Sequence, residues 1–217
     1  PLDRGSLPLW GNLDPWVLDA MSAYDPGNRY AVPYMWGTTG FAYNVEMVRE
    51  RMPDAPLDSA ALVFAPENAA RFADCGISLL DESTMVIPMV MQYLGHDANS
   101  IDVAELAEAE AALKAVRPYI RYFSSAKALN DLPNGEICIA MSWSGDYAQA
   151  RARAEESGID VELAYMVPRE GTVLFFDALM IPADAPHPEN AHRFLNYLLR
   201  PEVIAPISDL LRYANAN

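Results

Sequence analysis

Residues 134–150, NGEICIAMSWSGDYAQA, constrain this chain more than any other stretch. Asn134-Gly135 is a turn signal, because both residues tolerate positive φ. Ile137 to Met141 follow as an apolar run without a charge, the pattern of a short strand buried on both faces. Ser142 to Asp146 break the run, and Tyr147 to Glu156, rich in Ala, Gln and Arg, read as a helix. Strand followed by helix is the repeating unit of an α/β sheet, and ligands of open α/β sheets sit beyond the carboxyl ends of strands. Trp143 and Asp146 stand at such an end. An indole face attracts ammonium groups and a carboxylate accepts their N–H bonds. Two structural readings stand beside that one: Asp146 as the N-cap of the following helix, and Trp143 as a core residue.

The remaining residues set the frame. A chain of 217 residues, 52% hydrophobic, is enough for one large domain or two small ones. A net charge of −15 argues against a nucleic-acid partner, which needs clustered Lys and Arg, and permits a cationic ligand. No apolar run approaches the roughly 20 residues of a membrane span. Cys75 and Cys138 are too few for a disulfide scaffold and do not form a metal-ligand cluster. His96, His187 and His192 lack zinc-ligand spacing and have no nucleophile beside them, which weakens hydrolase and zinc readings; no metal and no cofactor are expected. The chain opens at Pro1 without Met or signal peptide and stops at Asn217, which reads as a mature piece or an excised fragment.

In chain order, Asp14-Pro15 opens a helix to about Tyr24, a capping residue followed by Pro at the first helical position. Tyr30 to Trp36 predict a strand that Pro33 confines to an edge or crossing position. Gly37-Thr38-Thr39-Gly40 separate it from a second extended run, Phe41 to Asn44, as in a chain crossing between lobes. A helix is expected at Val45–Met52, and Gly76–Leu80 read as a strand with Asp81–Thr84 as its carboxyl-end loop. Met85, Met89 and Met91 in the next helix, Met85–Leu94, read as core filler. Asp102–Val116 form a helix with a solvated acidic face, and Tyr119–Phe123 and Val161–Val167 are strands. Asp177 is a lone acid inside LFFDALMIP. Burying it unpaired would be costly, so it calls for a cation, a ring of donors or solvent; a ligand role stands against an ion pair or a loop cap. Two helices, Pro188–Leu199 and Pro201–Leu211, precede Tyr213, either a surface ring or a pocket wall. The alternation predicts an α/β fold with a largely parallel sheet.

YAVPYMWGTTGFAYNVEMV, GISLLD, QYLGHDANS, RPYIRYFSS, LPNGEICIAMSWSGD, VPREGTVLFFDALMIPADA and FLNYLLRPEVIAPISDLLRYANAN, in this order and nearly end to end, resemble the putrescine/spermidine-binding periplasmic proteins of ABC importers. The resemblance implies a type II periplasmic-binding fold: two α/β lobes, joined by crossing strands, closing on a linear polyamine. It implies part of lobe 1 in residues 1–33, lobe 2 in 34–153 and a return to lobe 1 in 154–217, with the chain truncated at both ends and one lobe incomplete. Trp143, Asp146, Phe175, Asp177 and Tyr213 would contact the ligand. Thr84 stands nearest the place where the family often carries a Glu, and which of Phe175 and Phe176 faces the ligand is left open. Cys75 and Cys138 match positions that are disulfide-bonded in some members. The implied partners are a polyamine and the permease subunits of the transporter, met peripherally at the inner membrane from the periplasm. The alternatives are a polyamine-sensing receptor subunit of the same fold, or a fragment whose incomplete cleft binds nothing. An enzyme would need a nucleophile–base pair or a cofactor lysine; with Lys114 and Lys127 the only lysines, none is visible.

Overall fold

The computed structural model describes residues 1–217, which divide into two units: Pro1–Gly37 with Phe175–Asn217, and Thr38–Leu174. The elements in chain order begin with α1 (Pro15–Met21), β1 (Ala31–Asn44), α2 (Val45–Arg51), α3 (Ala61–Phe64) and α4 (Pro66–Ala69). Then come β2 (Ile77–Leu79), α5 (Ser83–Tyr93), α6 (Val103–Val116), β3 (Ile120–Phe123) and α7 (Ala128–Asp131). β4 (Ile139–Trp143), α8 (Ser144–Glu156), β5 (Leu163–Met166), β6 (Leu174–Met180), α9 (Pro188–Leu198), α10 (Pro201–Leu211) and β7 (Ala214–Asn215) complete the chain.

Local chemistry sets several boundaries. Asp14 caps α1 by accepting from Trp16 N–H at 2.7 Å, with Pro15 at the first helical position. Asn44 caps α2 through Met47 N–H, and Asp102 caps α6 through Ala104 and Glu105 N–H. β1 is one strand of 14 residues, not the two extended runs expected. Gly37 and Gly40 do not break it, because Thr38 and Thr39 between them are β-branched and suit extended backbone.

In unit 2 the strand order is β3-β2-β4-β1-β5. β2 runs parallel to β3 and β4, whereas β1 runs antiparallel to β4 and β5, so the largely parallel sheet expected is a mixed one. β1 enters from unit 1 and is not laid down by a strand–helix–strand crossover, which leaves its direction free. Both faces are covered. Phe41, Ile139 and Met141 point into a core with Phe64, Phe72, Ile77, Met89 and Met91, while Ala42 and Ala140 face Leu132, Ile137 and Ala150. Two cores explain why residues 137–141 carry no charge. Cys75 and Cys138, just ahead of β2 and β4 in the chain, form a disulfide with Cα atoms 5.6 Å apart.

Unit 2 keeps residues 154–174, which the sequence placed in the returning segment, and begins at Thr38 instead of residue 34. Pairing decides this: Leu163–Met166 of β5 lie opposite Phe41–Asn44 of β1, and Val45 N–H donates to Glu162 O at 2.9 Å.

Unit 1 packs α1, α9 and the amino-terminal segment around Leu7, Leu13, Val17, Val32, Leu195 and Leu199. β7 pairs antiparallel with β1, Met35 opposite Asn215, and β6 also pairs with β1. His192 ties the amino terminus to α9: its Nε2 accepts from Asp3 N–H at 2.9 Å while Nδ1–H donates to Pro188 O at 2.8 Å.

Candidate functional site

In unit 2, β4 runs into α8 without a loop. Trp143 is at once the last strand residue and the N-cap, with extended backbone (φ −82°, ψ 151°) and no side-chain capping bond. Asp146 is therefore not the N-cap; it is an acid in the first helical turn, where the helix dipole favours negative charge. The Trp143 ring is half-buried against the main core, so the core reading of this residue is half right. Thr84 is exposed in the first turn of α5, and not in a loop after β2. The buried Thr39 connects these pieces. It lies opposite Trp143 in the β1–β4 register, and its hydroxyl donates to the sulfur of Met85, next to Thr84, at 3.4 Å.

In unit 1, β6 sends alternate residues to opposite faces. Phe175 meets Tyr213 edge-on at 6.1 Å between centroids, and Asp177, two residues on, shares its face. Phe176 faces the other way, 6.0 Å from Trp16, which in turn lies 5.3 Å from Trp36. Tyr213 is set by the end of α10. Arg212 adopts the left-handed conformation (φ 61°) there, and Ser208 Oγ donates to Tyr213 O at 2.7 Å. Asp177 is exposed, forms no ion pair and caps no loop. Apolar neighbours strip part of its hydration and push its carboxyl above the ordinary range, with no charge or donor to offset that.

Each unit thus carries one carboxylate and aromatic surface at or beside a strand, a chemistry suited to an ammonium group. The apolar hollows lie elsewhere. One of about 570 Å³ in unit 2 is lined by Leu79, Val86, Leu106, Leu113 and Phe123, and one of about 690 Å³ in unit 1 by Tyr34, Leu179, Phe194 and Val203. Neither contains any of the six expected ligand residues. Sequence reasoning passed over Thr38, Thr39 and Ser144, which surround the Trp143 turn; the small polar residues of GTTG were the signal.

A family model described as bacterial extracellular solute-binding protein matches residues 3–217. The chain belongs to that family. As a solute-binding protein it is 47% identical to the putrescine-binding periplasmic protein PotF of Escherichia coli K12, with all of this chain and 59% of that protein covered. It is 46% identical to a putrescine/agmatine-binding protein of Pseudomonas aeruginosa, again over 100% of this chain and 59% of the relative. The chain therefore spans about three fifths of the length of the curated relatives it matches. Among solved structures, a proposed spermidine/putrescine ABC transporter protein of Listeria monocytogenes superposes with a TM-score of 0.84. That pair is 31% identical and covers all of this chain and 62% of the other, so the solute-binding fold is shared. No helix is long and apolar enough to cross a membrane.

Proposed function

We propose that the full-length protein is a periplasmic solute-binding protein that captures a polyamine and delivers it to an ABC permease. In this reading Trp143, Asp146 and Thr84 of unit 2 and Phe175, Asp177 and Tyr213 of unit 1 contact the ligand. The observation that carries it is the identity of 46–47%, over the whole chain, to relatives named for putrescine or agmatine. The residue chemistry agrees: a diamine has two ammonium ends for two carboxylates, and methylenes for the rings. Each ring–ammonium contact contributes roughly 0.5–2 kcal/mol once water is excluded.

An oxidising compartment suits the Cys75–Cys138 disulfide and supports the periplasmic reading. The test is calorimetric titration of the full-length protein with putrescine, cadaverine, agmatine and spermidine, against amino acids and sugars. Heat from amino acids or sugars and none from the amines would reject the proposal.

A further inference from the structure

The N-cap of α8, Trp143, makes no side-chain capping bond, and contacts from β1 and β5 reach its first turn. Ser144, the residue between Trp143 and the acid-bearing part of the turn, receives Thr38 N–H on its Oγ at 3.3 Å. Thr38 is in turn gripped by Tyr165 of β5. The Tyr165 hydroxyl donates to Thr38 O at 2.9 Å, and with that proton committed the Thr38 hydroxyl, 3.1 Å away, donates back to the phenol oxygen. On the far side of the turn, Tyr147 stacks on the same Tyr165 ring at 5.3 Å and 24°, and its hydroxyl donates to Leu163 O at 3.1 Å. Trp143 to Tyr147 are therefore flanked on both sides by contacts that lead to one side chain.

Two further observations show that the place is built for that ring. A Cβ on Gly40 would come within 2.7 Å of the Tyr165 ring and 2.4 Å of Met166 O, so the ring occupies the space a side chain at position 40 would need. Burial also pushes the Tyr165 hydroxyl up to about 12, which keeps it a donor across the physiological range. The next residue, Thr39, is fixed as well: its N–H donates to Val173 O at 3.0 Å, and its carbonyl accepts from the Thr172 hydroxyl.

We infer that Tyr165 is a positioning residue for polyamine binding, holding Thr38 and the Trp143–Tyr147 turn in the arrangement that presents the indole and the Asp146 carboxylate. This rests on the reading that Trp143 and Asp146 contact the ligand. Tyr165 itself need not touch the ligand. Its role differs from plain core filling, because the hydroxyl and not the ring volume makes the connection to Thr38.

Tyr165→Phe in the full-length protein separates the two roles, since Phe keeps the volume and the stack on Tyr147 and loses both bonds to Thr38. Putrescine affinity should fall roughly 3- to 20-fold, the effect of one or two hydrogen bonds, mostly through faster dissociation. In the ligand-free protein, amide exchange should rise at Tyr147–Gln149, whose N–H groups close the first turn of α8, and stay unchanged at Ile139–Met141. Thr38→Val, which removes only the hydroxyl, should shift affinity the same way by less. Putrescine affinity in Tyr165→Phe within twofold of wild type would overturn the inference, as would an even rise in exchange across unit 2. If the wild-type protein takes no putrescine, the polyamine reading fails, and exchange alone then decides the positioning claim: selective loss of protection at residues 147–149 supports it and unchanged protection overturns it.

Discussion

The ring of Phe175 meets that of Tyr213 edge-on at 6.1 Å, while Phe176, next in the strand, turns away toward Trp16. Two adjacent phenylalanines thus have different surroundings, because side chains in a strand alternate between faces. Phe175 shares its side with Asp177, whereas Phe176 packs against the core of unit 1.

Truncating the two rings should separate binding from stability. Phe175→Ala in the full-length protein is expected to weaken putrescine binding by about 2- to 30-fold, the range of one ring–ammonium contact, with a small change in ligand-free Tm. Phe176→Ala should do the reverse, costing on the order of 2–3 kcal/mol because the ring is only half-buried, with affinity near wild type. Calorimetry and thermal melts on both variants check this. Equal loss of affinity in the two would reject the division of duties.

Asp177 is expected to give the proposed site a pH dependence. Its carboxyl is held above the ordinary range by lost hydration, and only the ionised form attracts an ammonium. Affinity should therefore decline on acidification at a higher pH than an ordinary carboxylate would set, and Asp177→Asn should bind weakly at all pH values. The stability sign is opposite. A carboxyl whose folded pKa is raised favours the fold when protonated and disfavours it above that pKa, so Asp177→Asn should be no less stable than wild type at neutral pH. Titrations and melts from pH 4 to 8 would show both trends; a wild-type affinity flat down to the ordinary carboxylate range would contradict the first.

The Cys75–Cys138 bridge closes a loop with a sequence separation of 63. In the chain-entropy model such a loop stabilises by roughly 4 kcal/mol, so Cys75→Ser with Cys138→Ser should lower Tm by on the order of 10 °C. Cys138 is fully buried and Cys75 nearly so, so a thiol reductant should open the bridge slowly, at a rate that rises with mild denaturant. A double variant melting with the wild type would show that the reduced, unfolded chain is already constrained.

Much of the fold was legible because its signals are local. The uncharged run at 137–141 reports a strand covered on both faces, and Asp14-Pro15 reports a helix start by its own bonds. What stayed hidden depends on long-range partners. GTTG resembles a break between strands, yet Gly40 is small because Tyr165, far along the chain, lies over it. Ser142–Asp146 resemble a loop, yet Trp143 supplies the extended N-cap and the helix begins at once. The antiparallel course of β1 follows from its entry out of unit 1, which no residue pattern records. The residues of the proposed site, 143, 146, 175, 177 and 213, were named from chemistry and resemblance. That Phe175 and not Phe176 shares a face with Asp177 follows only once β6 is seen as one extended strand.

Glu170 carries a last expectation, about the turn Pro168–Gly171 that leads back to unit 1. Its carboxylate is half-buried, which alone would raise its pKa, but Ser59 Oγ–H and Ala60 N–H donate to it and bring it below the ordinary value. Beside it Arg169 N–H donates to Asp58 O at 2.8 Å, so the turn is fastened to the start of α3 by adjacent residues. A carboxyl with a depressed folded pKa stabilises fully above its unfolded pKa, and that contribution is lost as pH falls through the folded value. Glu170→Ala should cost about 1–3 kcal/mol at neutral pH, since two partly buried donors lose their acceptor, and Glu170→Gln less, because its amide oxygen can still accept one bond. The gap between wild type and Glu170→Ala should narrow on acidification below the ordinary glutamate range. Chemical denaturation at pH 7 and pH 3 measures it, and a gap of the same size at both would mean that the side chain acts by packing and not by its charge.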